Sequence, residues 1–309
     1  MASAPLRESS PWQREDDGGV RFEPDYDALC RLLGVPALLQ ATSQSGVPAL
    51  AMDVWVSYEL RRAGFDADRV WPRPVAPRVL PREVVDFVAA LPAKQRSELV
   101  ERISVRGTGG ASSANILGKN YVKQVDVVMS SWATGPELMI STKRMDSSFG
   151  KNAANRVEES YGDAKNLRSR HPEAALGFLY GLGSSALETE PETARWLIDL
   201  LGKLGRESDA YDAVGLIIPH IPWAPDPTSE EDPAGPLEAG VTGALVANPA
   251  DEETTDDLDL GLLPPITLSR GAVPGGLDPG RFLATMCNLV LDRTPINFHR
   301  EARARRRAV

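Results

Sequence analysis

Two periods of apolar residues run along this chain, and each change of period marks an element. Residues 25–42, DYDALCRLLGVPALLQAT, read as short helices. Residues 47–65 carry Met52, Val56 and Leu60 at helical spacing and stop near Gly64. A further helical pattern covers residues 91–106, with Leu99 and Ile103 on one face. The period then shortens. Tyr121 to Met129 and Glu137 to Thr142 read as strands, and the SSWATGP link between them is short enough for a hairpin. Residues 151–170 return to a helix of about five turns, its apolar side set by Ala153, Val157, Tyr161 and Ala164. A glycine-bounded apolar strand (174–183), a helix (193–205), an apolar strand (212–221) and a last helix (279–294) follow. The order helix, strand, strand, helix, strand, helix, strand predicts an α/β fold: a mixed central sheet flanked by helices, preceded by a helical N-terminal region.

Composition divides this pattern into segments. The 309 residues are 42% hydrophobic and 25% charged, ordinary for a globular chain. Residues 1–22 are polar and Gly-rich, predicting a flexible arm. Residues 23–95 form the helical region, 96–222 the core, 223–262 an acidic insert and 263–309 the last helix with its basic tail. The net charge of -9 is unevenly spread. No Lys or Arg occurs from Glu207 to Ser269, and Asp226 to Asp259 holds eleven acids. Without that stretch the remainder stands at -9 + 11 = +2, a mildly basic body carrying a Pro-rich acidic loop.

Several function classes drop out. No run approaches the roughly 20 apolar residues of a membrane span, and the N-terminus lacks the basic start and apolar stretch of a secretory signal. Cys30 and Cys287, the only cysteines, read as reduced structural thiols of a cytoplasmic protein and cannot build a cysteine zinc site. The Gly/Ser-rich residues 107–120 lack the Gly-Lys-Ser/Thr ending of a nucleoside triphosphate loop. Between residues 66 and 85, Pro72, Pro74, Pro77 and Pro81 forbid a regular helix, while Arg69, Arg73, Arg78 and Arg82 make the segment basic. It reads either as a linker wrapped on the core or as an arm contacting phosphates.

The charged residues inside apolar strands carry the candidate chemistry. Asp126 lies within QVDVV and Lys143 within ISTKR, and a hairpin can bring the two together near one sheet edge. A carboxylate there can bind a divalent metal through hard oxygen, and an ammonium can stabilise charge developing on a phosphate. The alternative is a buried ion pair without a catalytic role. On the following helix, a rotation of about 100° per residue sets Glu158 on the flank of the apolar face and Glu159 further round. Glu158 is therefore the expected second carboxylate. Arg144, Lys151 and Arg156 add positive charge nearby, suited to a phosphate backbone.

From about Leu99 to Leu182, this arrangement resembles the PD-(D/E)xK nuclease superfamily, which includes many type II restriction endonucleases. The family's Asp matches Asp126 and its Lys matches Lys143, whereas the acidic position two before that Lys is Ser141. One restriction-enzyme branch carries Ser-x-Lys with the missing Glu moved to the next helix; Glu158, fifteen positions after Lys143, stands close to that spacing, with Glu159 as the alternative. The resemblance implies an αβββαβ core and a Mg²⁺-dependent endonuclease that cuts double-stranded DNA. Asp126 and Glu158 would bind metal, Lys143 would position the nucleophile, and Ser141 would be a minor polar neighbour. It also implies a homodimer, since a duplex has two strands to cut, and a DNA methyltransferase acting on the same site. Arg69, Arg73, Arg78, Arg82, Arg144, Lys151 and Arg156 are the expected DNA contacts. A catalytically silent DNA-binding relative, or a subunit of an anti-phage defence complex, is the alternative that Ser141 invites; a small-molecule α/β enzyme lacks any nucleotide motif to support it.

Overall fold

In the computed structural model the described residues are 9–39, 41, 47–104, 114–146, 149–222 and 260–309. The acidic stretch from Asp226 to Asp259 lies outside them, as does the side chain of Lys151.

The described residues open with a hairpin of β1 (Trp12–Arg14) and β2 (Val20–Phe22), within the expected flexible arm, whose residues 1–8 lie outside the described residues. Trp12 and Phe22 pack edge to face and are buried in the main core, and that burial orders the segment. Helix α1 (Tyr26–Leu38) starts at Asp25, whose Oδ1 accepts from Ala28 N at 3.0 Å. After α2 (Val47–Arg62) come β3 (Val70–Trp71), α3 (Arg82–Ala89) and α4 (Ala93–Ser104). The strand predicted from Tyr121 to Met129 is broken. A hairpin of β4 (Ala114–Leu117) and β5 (Val122–Val125) ends at a bend on Asp126, and β6 (Val127–Ser131) begins after it.

The long β7 (Gly135–Met145) returns antiparallel to β6, and α5 (Phe149–Arg168) crosses to β8 (Ala175–Leu182), which lies parallel to β7. Helices α6 (Ala186–Thr189) and α7 (Pro191–Leu204) lead to β9 (Ala213–Ile217), parallel to β8. The short pair β10 (Pro219–His220) and β11 (Thr267–Leu268) precedes α8 (Pro279–Arg293) and α9 (Arg300–Arg307). The five-stranded mixed sheet has the order β3-β6-β7-β8-β9, so the α/β expectation holds.

Alternation along β7 divides two apolar layers. Leu138 and Ile140 point to the side closed by α2 and α8, with Trp55, Leu60, Phe282 and Cys287; Met139 and Met145 point to the side closed by α5 and α7, with Val157, Ala164, Leu197 and Leu201. The N-terminal and C-terminal segments, separate by composition, therefore cover one face of the same sheet. Their fit depends on two strand glycines. A Cβ on Gly177 would lie 2.9 Å from Phe282 Cζ, and one on Gly215 would lie 3.0 Å from Phe282 Cγ. Both cysteines are free thiols, and Cys287 is buried. Among the described residues, no helix is long and apolar enough to cross a membrane.

Candidate functional site

The bend between β5 and β6 holds Asp126 at the point where β7 passes. Val127 is in register with Ile140, so the residue before it meets the Ser141–Thr142 stretch. Asp126 Oδ2 accepts from the Thr142 backbone N–H at 2.8 Å. Thr142 points to the α2 side, where its hydroxyl donates to Asp53 Oδ1 at 2.5 Å. One residue of β7 thus ties together two carboxylates from distant parts of the chain. Ser141 and Lys143 share the opposite parity, on the α5 side.

Electrostatics couple these groups. Burial pushes the Asp53 carboxyl well above its ordinary range, and the charge of Asp126 adds to this against the Thr142 hydrogen bond. Burial also raises Asp126, while the Thr142 N–H and the charges of Lys143 and Lys123 pull it back. Lys143 therefore acts on Asp126 through space. Lys123 is held by Asp163 at 2.5 Å and Glu159 at 3.4 Å. The Tyr121 hydroxyl donates to the other oxygen of Asp163 at 2.9 Å, bracing the β4–β5 hairpin on α5.

The rotation of α5 differs from the expectation. Its buried face runs through Ala153, Val157, Ser160, Ala164 and Leu167, and Asp163 and Asn166 extend it toward the β4–β5 hairpin. Glu158 and Glu159 are both exposed, and Glu159, one turn before Asp163 on that side, reaches Lys123. The carboxylate brought to Asp126 through Thr142 is therefore that of Asp53, not Glu158. The sequence signal for Asp53 was an acid sharing the apolar face of α2 with Val56 and Leu60 at i+3 and i+7. Ser141 is buried beside Tyr211, whose hydroxyl donates to Ser160 O at 2.9 Å.

Most of the expected DNA-contacting arginines have internal partners. Arg73 is buried against Asp68 at 2.7 Å and also donates to Pro77 O. Arg82 is shared among Asp66, Asp68 and Asp86. These pairs tie residues 66–86 to one another, and the β3–β6 pairing and Arg61 hold the segment on the body. Arg144 pairs with Asp146 at 2.7 Å, and Arg156 donates to Arg144 O at 2.7 Å. Arg78 and Arg69 are partly exposed.

Asp53 and Asp126 suit a hard divalent cation. They offer carboxylate oxygens and resist carrying two charges together, and the charge of Lys143 acts on Asp126 from the α5 side of the sheet. Mg²⁺ is commonly held by one or two carboxylates, with water and substrate phosphates completing the shell. Among the described residues, no group of three or more His, Cys, Asp or Glu side chains could hold a metal. Comparison with family models, curated proteins and solved structures found no match for this chain.

Proposed function

We propose that the protein is a Mg²⁺-dependent endonuclease that hydrolyses phosphodiester bonds of double-stranded DNA, of restriction type. The observation that carries this reading is the linkage of Asp126 and Asp53 through Thr142, with Lys143 as the next residue on the same strand. It supports the resemblance in Asp126 and Lys143 and replaces the helix glutamate by an acid from α2.

Asp126 and Asp53 would hold the cation, which when bound supplies Lewis-acid polarisation of the phosphate. The Thr142 N–H fixes the Asp126 carboxylate, and its hydroxyl fixes Asp53, so neither side chain must reorganise as charge moves. The Lys143 ammonium offsets negative charge developing on the phosphate and orients the attacking water. A homodimer in the cytoplasm, working beside a methyltransferase of the same specificity, completes the reading. The serine at position 141, two before Lys143 where the resemblance calls for an acid, supports a second one, a DNA-binding relative without cleavage.

Incubating unmethylated phage DNA with the protein and Mg²⁺ tests both. Cleavage that disappears in Asp126→Ala, with DNA binding retained, is expected. Full turnover in Asp126→Ala would remove the assignment, and salt-sensitive binding without cleavage by the unaltered protein would select the second reading.

A further inference from the structure

At the other end of β7, the C-terminal helix and the end of α2 enclose an open cleft of about 580 Å³. This is within the usual size range of small-ligand sites. Its chemistry is cationic. Arg61, Arg69, Arg300 and Arg305 line it against two acids, Asp66 and Glu301. Both acids are already engaged, Asp66 by Arg82 at 3.2 Å and Glu301 by Arg305 at 2.8 Å.

The cations are unequally satisfied. Arg61 donates to the carbonyls of Val70 and Pro72, but its Nε is buried without a partner. Burial pulls its guanidinium down to about 10; Asp68 opposes this and the charge of Arg73 adds to it. Among the described residues, neither Arg69 nor Arg300 has a hydrogen bond or direct ion pair to its guanidinium. The amino end of α9 also lines the cleft, and its cap, His299, makes no side-chain capping bond. Open amide groups and the helix dipole there add to the positive field. Phe298 supplies an apolar ring beside this charge.

The wall is built rather than incidental. His299 adopts a left-handed φ of 50° and buries its ring against Phe65, with Nε2 2.8 Å from Glu137 Oε2. Gly64, at φ +98°, lets α9 approach: a Cβ there would lie 2.8 Å from Ala302 N. Glu137 and Thr142 are five residues apart on β7, which separates this cleft from the carboxylate pair by roughly 16 Å.

We propose that the cleft binds a small phosphorylated ligand of nucleotide size. Its phosphate oxygens would lie on Arg69 and Arg300 at the amino end of α9, with its base or other flat group against Phe298. The planar forks of arginine suit phosphate oxygens in pairs. The site stands apart from Asp126 and does not depend on the cleavage reading.

Isothermal titration of the full chain with pyrophosphate, ATP, adenosine and a short unphosphorylated DNA duplex tests it. Pyrophosphate and ATP should bind, ATP more tightly, and adenosine should not. Arg69→Gln combined with Arg300→Gln should weaken both phosphate probes at least about tenfold, with an unchanged melting temperature. Arg300→Gln alone, at an exposed position, should show part of that loss. Asp126→Ala should leave ATP binding as it was, whatever it does to DNA cleavage. The proposal is overturned if neither phosphate probe binds or if the double variant binds as the parent does. Binding of the duplex alone would also overturn it, assigning these arginines to a nucleic-acid backbone.

Discussion

Thr142 shows how much one residue can organise. Its amide and its hydroxyl point to different carboxylates, so a position with no ionisable group sets the geometry of two that have one. If Asp53 shares the metal, Asp53→Asn should lower Mg²⁺-dependent cleavage by at least about a hundredfold, the scale of losing one electrostatic contributor. Glu158→Gln, on an exposed helix position, should leave it within a few-fold; steady-state assays of the two variants on one plasmid substrate check the pair. A second buried acid reports through stability. Glu59 accepts from Asp25 N at 2.6 Å and pairs with Arg62 at 2.6 Å, yet burial outweighs both and raises its carboxyl from 4.5 to about 7. A carboxyl raised by folding binds its proton more tightly in the native state. The metal-free protein should therefore lose stability as pH climbs from about 4.5 to about 7. Urea denaturation across that range should show the decline, and Glu59→Gln should flatten it.

Among the elements, Asp212 acts as a three-way clamp. It accepts from Leu176 N of β8 at 2.8 Å, pairs with Arg168 of α5 at 2.8 Å, and pairs with Arg293 of α8 at 3.0 Å. These bonds hold helices on opposite faces of the sheet to one strand end. Burial would raise the Asp212 carboxyl, but the Arg293 hydrogen bond, the Leu176 amide and Arg168 together hold it below its ordinary range. Asp212→Asn keeps the shape and removes the charge, so it should cost about 2 kcal/mol of unfolding free energy, the scale of hydrogen bonds to a charged group. A shift of the urea midpoint at constant slope is the expected signature. An unchanged midpoint would mean that packing of Phe282 against Gly177 and Gly215 alone holds α8 in place.

Over the whole molecule, charge is the property most unevenly distributed. Deleting residues 226–259 takes the net charge from -9 to +2. Nonspecific DNA affinity should then rise, with a steeper dependence on salt, because a repulsive field has been removed and the basic groups remain. Cleavage should persist. Filter binding over a salt series, beside a melting curve, checks this; loss of the folding transition would assign the segment a structural role instead.

Local periodicity determined the sheet strands after Asp126, the crossing helices and the α/β class, because alternation and the helical repeat follow from burying one face of each element. It also singled out Asp126 and Lys143, since a charge inside an apolar strand is conspicuous without knowing what it meets. The N-terminal hairpin escaped because its polar and glycine-rich composition hides two aromatic anchors, Trp12 and Phe22, whose partners lie elsewhere in the chain. Arg73 and Arg82 looked free for phosphate because their aspartate partners are set by how the loop folds, not by spacing. That Asp53, and not Glu158, meets Thr142 likewise belonged to the tertiary structure. Thr142 and Asp53 are 89 residues apart, and only the packing of α2 on the sheet makes them neighbours. The exact rotation of α5, a matter of one residue in the helical repeat, was decided by what Asp163 and Lys123 do across the hairpin.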